Sequence, residues 1–305
     1  MLDEMRKEIF RLRDERNALI IAHNYQLGEV QDIADFTGDS LELSYKAAEC
    51  KKDLIVFCGV TFMAETAAIL APEKTVLLPV KEAGCPMADM ADAERLRKMK
   101  EENPSSIVVT YVNSSAEVKA ESDICVTSAN ALKIVSSIPK DKPIIFVPDK
   151  NLGAYCAKMT GRKMILWPGF CPTHMRITPE QILKRKNEYP DAKVIVHPES
   201  TLDTIALADE ALSTGGMLKF AKKTDAKKII VATEIGLIYR LEKENPGKQF
   251  IPVSEQAICP NMKMTRLEDV LYALKEMKHA IKVPGKIAKL AKIPIARMMG
   301  GEWKE

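Results

Sequence analysis

The chain carries one structural unit three times, and no other feature of its 305 residues constrains the fold as strongly. Short apolar, β-branched runs at Leu19–Ile21, Ile107–Val109 and Val194–Val196 each lead into a polar cluster. The clusters are His23-Asn24-Tyr25, Tyr111-Val112-Asn113 and His197-Pro198-Glu199, and they begin 88 and 86 residues apart. A second station keeps step with the first: Asp35, Asp123 and Asp209 each precede a hydroxyl by five residues, at Ser40, Ser128 and Thr214. A third is a pair of apolar runs, Leu54–Cys58 then Thr75–Val80, Ile144–Val147 then Lys163–Leu166, and Ile229–Val231 then Gln249–Val253. A cysteine closes each unit, at Cys85, Cys171 and Cys259, spaced by 86 and 88.

Runs of this kind, followed at once by polar residues, read as buried parallel strands ending at functional loops. Helix-like segments such as Phe62–Leu70 and Leu152–Met159 alternate with them, which is the pattern of a parallel sheet layered with helices. The sequence therefore predicts an α/β protein of three similar α/β/α domains. Residues 1–85 form the first, completed by C-terminal helices in 260–305; residues 86–171 and 172–259 form the second and third. New helices are expected from Ala93, Thr178 and Thr265, with Thr178 as a cap ahead of Pro179. Ligands of open parallel sheets bind beyond the carboxyl ends of the strands, where every polar station falls. Three equivalent domains around a pseudo-threefold axis bring those ends, and one cysteine from each, to a central junction.

Seven cysteines in a reducing compartment do not form a disulfide framework. Cys58 and Cys125 lie within strand runs and Cys50 and Cys156 on helices, so these four are expected to pack as small hydrophobes. Cys85, Cys171 and Cys259 lie outside their strands and are the metal candidates. Converging thiolates suit a structural zinc, with His174 as a fourth ligand, or a [4Fe-4S] cluster that leaves one iron open as a Lewis acid.

Around that centre, His23 and His197 are equivalent in two repeats. Glu199, after Pro198, is a candidate general base. Ser40, Ser128 and Thr214 precede helix-like runs and suit either helix capping or anion binding. The chain offers 45 basic and 42 acidic residues, interleaved in stretches such as Glu94–Glu102, which reads as solvated helix surface and excludes a nucleic-acid footprint. No run is long enough to cross a membrane, and Met1–Arg13 lacks the apolar core of a signal peptide, so a cytoplasmic protein is expected.

Several motifs together resemble the quinolinate synthase family: His23-Asn24-Tyr25-Gln26, Gly38-Asp39-Ser40, Phe62-Met63-Ala64-Glu65, Cys85-Pro86-Met87-Ala88, Tyr111-Val112-Asn113-Ser114, Thr127-Ser128-Ala129-Asn130, His197-Pro198-Glu199, Ser213-Thr214-Gly215 and Thr233-Glu234. The likeness runs from about residue 17 to about residue 275. It implies a [4Fe-4S] cluster on Cys85, Cys171 and Cys259 in an active site at the domain junction. It also implies that iminoaspartate and dihydroxyacetone phosphate condense there to quinolinate, phosphate and two waters for NAD synthesis, with a separate enzyme supplying the iminoaspartate. By the same resemblance His23, Tyr25, Tyr111, Asn113, His197 and Glu199 position substrate and move protons, while Ser40, Ser128 and Thr214 hold the triose phosphate or, later, a product carboxylate. The chain departs from many relatives in carrying Ser200 where they have cysteine. It also has Cys259-Pro260-Asn261-Met262 where some carry a Cys-x-x-Cys pair.

Overall fold

A computed structural model describes residues 2–303. Among these residues twelve strands form three sheets of four, all parallel. The first contains β1 (Ala18–His23), β2 (Phe36–Gly38), β3 (Leu54–Cys58) and β4 (Thr75–Leu77); the second contains β5 (Ile107–Tyr111), β6 (Ile124–Val126), β7 (Ile144–Val147) and β8 (Ile165–Leu166). The third contains β9 (Lys193–Val196), β10 (Glu210–Ala211), β11 (Lys228–Ala232) and β12 (Gln249–Pro252). Their spatial orders, β2-β1-β3-β4, β6-β5-β7-β8 and β10-β9-β11-β12, are one topology used three times. The three α/β units expected from the repeat are present.

Each sheet buries both faces, which is why its central strands are continuous apolar runs. Alternation then assigns residues to layers. Ile21, Val109 and Ile195, from β1, β5 and β9, all enter one core shared by the three sheets. Their neighbours on the opposite faces enter three separate outer cores: Ile20 with Ile9 and Leu274, Val108 with Trp167, and Val194 with Ile182. Burying each such large apolar side chain stabilises the fold by roughly 1.5–3 kcal/mol. The shared inner core ties the units together.

The repeated aspartates have a structural task. Asp35, Asp123 and Asp209 accept the backbone N–H groups of Ile20, Val108 and Val194 at 2.9, 2.8 and 2.8 Å. Each carboxylate thus satisfies a donor at the start of a central strand, where the short neighbouring strand has not yet begun.

Two expectations shift in detail. The helix foreseen from Thr265 runs Leu267–Glu276, and Cys50 lies beyond the helix Ser40–Ala48 instead of on it. The helix Leu267–Glu276 packs against Leu2–Glu15 and β3, whereas Gly285–Gly300 packs against the helix Ala116–Ala120 and β6. The C-terminal segment therefore touches two of the three sheets.

Candidate active site

The carboxyl ends of the sheets open onto a cavity of about 620 Å³, counting its open mouth. From the first sheet it receives His23, Tyr25, Ser40 and Cys85; from the second, Tyr111, Asn113 and Cys171; from the third, His197, Glu199, Thr214 and Cys259. Ser128 does not line it. Its hydroxyl lies 3.1 Å from His197 Nε2 and so reaches the cavity through that imidazole.

Neither Ser40 nor Thr214 is a helix cap. Asp39 caps Ser40–Ala48 in a capping box with Glu42, and Ser213 caps Thr214–Lys223. Both hydroxyls occupy the first helical position, one residue past the cap, which frees them from capping. Ser128 precedes Asn130, the cap position of Ala131–Ser137. The capping role weighed for the three hydroxyls is not what they do. Gly215 follows Thr214 because a Cβ there would stand 2.7 Å from Asp39 Oδ2.

The three cysteines sit in equivalent turns. Backbone N–H groups of Met87 and Ala88 point to the Cys85 sulfur, that of His174 to Cys171, and those of Asn261 and Met262 to Cys259. Donors in this pattern favour thiolates. Burial works the other way, pushing the Cys85 thiol up to about 12, Cys171 well above the ordinary value, and Cys259 up as well. Buried sulfurs supplied with amide donors are a donor set that a metal centre completes, because a coordinated metal removes the thiol proton.

Zinc on Cys85, Cys171, Cys259 and His174 is not favoured. Zn–S bonds of about 2.3 Å in a tetrahedron place the sulfurs about 3.8 Å apart. Among the described residues the ligand group whose atoms lie within 4.8 Å of one another is instead Cys171, His174 and Glu199, without Cys85 or Cys259. A multinuclear cluster spans a wider set of sulfurs.

A hydrogen-bonded chain crosses the cavity wall. Tyr111 donates its phenol to Glu199 Oε1 at 2.6 Å, and His174 Nδ1 stands 2.7 Å from Glu199 Oε2 and 3.2 Å from Cys171 Sγ. His174 Nε2 meets Thr233 Oγ1 at 2.9 Å, and that hydroxyl meets the Tyr25 phenol at 2.5 Å. Burial raises the Glu199 carboxyl, but His174 and the Tyr111 donor outweigh it and hold the group below the usual carboxylate range. Burial pushes His23 and His197 down to about 3, with the neighbouring His197 adding to the effect on His23. Both imidazoles are therefore neutral at pH 7. Burial and the Glu199 charge keep the Tyr25 and Tyr111 phenols protonated.

His174 entered the sequence reading only as a zinc ligand, and its place three residues after Cys171 was the signal for more. Asp149 went unremarked and Glu234 entered only within the Thr233-Glu234 motif, although the repeat marks both: each lies two residues beyond the end of a strand, β7 and β11. Asp149 caps the helix Lys150–Thr160, and Glu234 accepts the Cys259 N–H at 3.1 Å and the Lys263 ammonium at 2.9 Å. Lys263 also donates to the Tyr25 carbonyl. A Cβ on Gly236 would lie 2.5 Å from Lys263 Nζ, so only glycine admits this clasp.

Comparison with known proteins agrees with this geometry. Residues 7–300 match the family model described as quinolinate synthetase A protein. A quinolinate synthase of Dehalococcoides mccartyi (strain CBDB1) is 59% identical over 292 residues, covering 96% of each chain. One from Geobacter sp. (strain M21) is 54% identical and one from Methanoregula boonei 52%, each covering 97% of both chains. With the family motifs brought to one cavity by three repeated sheets, the chain belongs to the quinolinate synthetase A family, a family of enzymes.

Proposed function

We propose that this enzyme condenses iminoaspartate with dihydroxyacetone phosphate to give quinolinate, phosphate and two waters, a step of NAD biosynthesis, with a [4Fe-4S] cluster held by Cys85, Cys171 and Cys259. The observation that carries the proposal is that three equivalent cysteine turns line the same cavity as Glu199, Tyr111 and His23. When bound, the cluster supplies an iron without a protein ligand, a Lewis acid for substrate oxygen.

The proton chemistry falls to the side chains. Glu199 is ionised and buried, so it accepts protons during the condensation and ring closure, and Tyr111 and His174 steady it from either side. His23 Nδ1 accepts the Tyr25 N–H at 3.1 Å, which leaves its proton on Nε2 to donate to a substrate carboxylate. His197 Nδ1 likewise accepts the Glu199 N–H at 3.4 Å, and its Nε2 proton goes to Ser128. Ser40 and Thr214, at two helix starts, suit the phosphate.

The ring of contacts between units supports a pseudo-threefold arrangement of three domains. Ser40 shares a small cleft with Val112, Ser128 meets His197, and Thr214 meets Asn24, so each unit's hydroxyl faces the next unit's strand end. No described helix is long and apolar enough to cross a membrane. A cytoplasmic enzyme fed with iminoaspartate by a separate enzyme completes the proposal.

Anaerobic purification followed by iron, sulfide and zinc determination tests it. Brown protein with iron and sulfide in equal amounts is expected; colourless protein carrying zinc with full activity contradicts it.

A further inference from the structure

We infer that Asn24 and Arg240 are positioning residues that force Thr214 to present its hydroxyl proton to an anionic group of the substrate, the phosphate of the triose in the reaction proposed above. Asn24 is fully buried and Thr214 nearly so. Asn24 Nδ2 lies 2.9 Å from Thr214 Oγ1, and Arg240 Nη1 lies 2.7 Å from Asn24 Oδ1 and 2.6 Å from the Thr37 carbonyl.

The direction of every bond follows from the arginine. A guanidinium only donates, so the Asn24 atom facing Arg240 must be the carbonyl oxygen. The Asn24 amide NH2 then faces Thr214 and donates to it. Thr214 Oγ1 accepts that bond, and its own proton must point elsewhere. Among the described residues no protein group takes it, and Thr214 lines the cavity. A buried hydroxyl donor without an acceptor is costly until a ligand supplies one, and an anionic oxygen is the strongest partner. The N-terminus of Thr214–Lys223, a helix of ten residues, favours the same charge.

Arg240 is itself fixed. Its Nε donates to Glu244 at 2.6 Å on the same helix, Gly236–Glu244. The relay thus starts in the third unit, passes through Asn24 in the first, and returns to Thr214 in the third. It breaks the repeat, since Val112 and Pro198, which cannot relay a hydrogen bond from a side chain, stand where Asn24 does in the other two clusters.

The inference rests on Thr214 contacting the substrate anion, and the test separates the two. Dihydroxyacetone phosphate binding by calorimetry and its KM are measured on the anaerobic holoenzyme for Thr214→Val, Asn24→Asp, Arg240→Met and the double variant Asn24→Asp/Thr214→Val. An aspartate at position 24 only accepts, so it captures the Thr214 proton. Asn24→Asp and Thr214→Val are each expected to weaken triose phosphate binding roughly 10 to 150-fold. The double variant should be no more than about threefold worse than the weaker single one, because both remove the same donor. Cluster absorbance stays near wild type, and KM for the triose rises by a larger factor than kcat falls. Arg240→Met, which loses the orienting contact together with the bonds to the Thr37 carbonyl and Glu244, should raise KM several-fold. Unchanged binding in Thr214→Val removes the anion contact itself and the inference with it. Impaired Thr214→Val beside unchanged Asn24→Asp, or fully multiplicative losses in the double variant, overturns the relay alone.

Discussion

Tyr111 donates its phenol to Glu199 Oε1 at 2.6 Å, joining the end of β5 in the second sheet to the loop after β9 in the third. The opposite oxygen of Glu199 meets His174 Nδ1 at 2.7 Å. A carboxylate held from both sides in a buried wall stays ionised and keeps its place.

Glu199→Gln keeps the shape of this group and removes its basicity. Turnover is expected to fall roughly 100 to 10,000-fold with cluster absorbance intact. Steady-state quinolinate formation together with an anaerobic spectrum measures both; near-normal turnover removes Glu199 as the base.

The three cysteine turns and the buried cysteines separate cleanly. Cys85→Ser, Cys171→Ser and Cys259→Ser are each expected to lose iron and activity. Cys58→Ala, Cys125→Ala and Cys156→Ala, which remove sulfurs packed wholly in the core, should retain iron. Iron analysis of the six proteins decides, and a full cluster in any of the first three overturns the ligand set.

Acid stability follows from the two buried imidazoles. His23 and His197 titrate at about 3 in the folded enzyme but near 6.5 once unfolded. Below that value the unfolded chain binds more protons than the native one. Their contribution is therefore complete above pH 6.5 and is lost as pH falls toward 3, at about 1.4 kcal/mol per pH unit for each histidine. Denaturant titrations at pH 7 and 5.5 should show His197→Gln losing less stability over the interval than wild type; parallel losses contradict the burial effect.

Asp123 offers a purely structural control. Asp123→Ala strips the acceptor from the Val108 N–H and is expected to cost about 1–3 kcal/mol while leaving iron content and kcat unchanged. Chemical denaturation and turnover read the two effects separately.

Much of this was legible in the sequence because it depends on periodicity. Val and Ile runs at constant separation identify the strands, and residues that follow a strand's carboxyl end must face the cavity whatever the sheet packs against. Cys85, Cys171 and Cys259 were found that way. Contacts made between units were not. Tyr111 meets Glu199 and Asn24 meets Thr214 across the junctions, 88 and 190 residues apart in the chain, and no spacing rule records which way a phenol or an amide turns. The hydroxyl stations were seen, but one position decides their role: Asp39 and Ser213 do the capping and leave Ser40 and Thr214 free.

The most direct measurement is product formation by the anaerobically purified enzyme given dihydroxyacetone phosphate and iminoaspartate generated in place. Quinolinate should appear with one phosphate released for each molecule formed, and Cys171→Ser should form none. Enzyme that carries its full complement of iron and sulfide yet forms no quinolinate from these two substrates would contradict the proposed reaction.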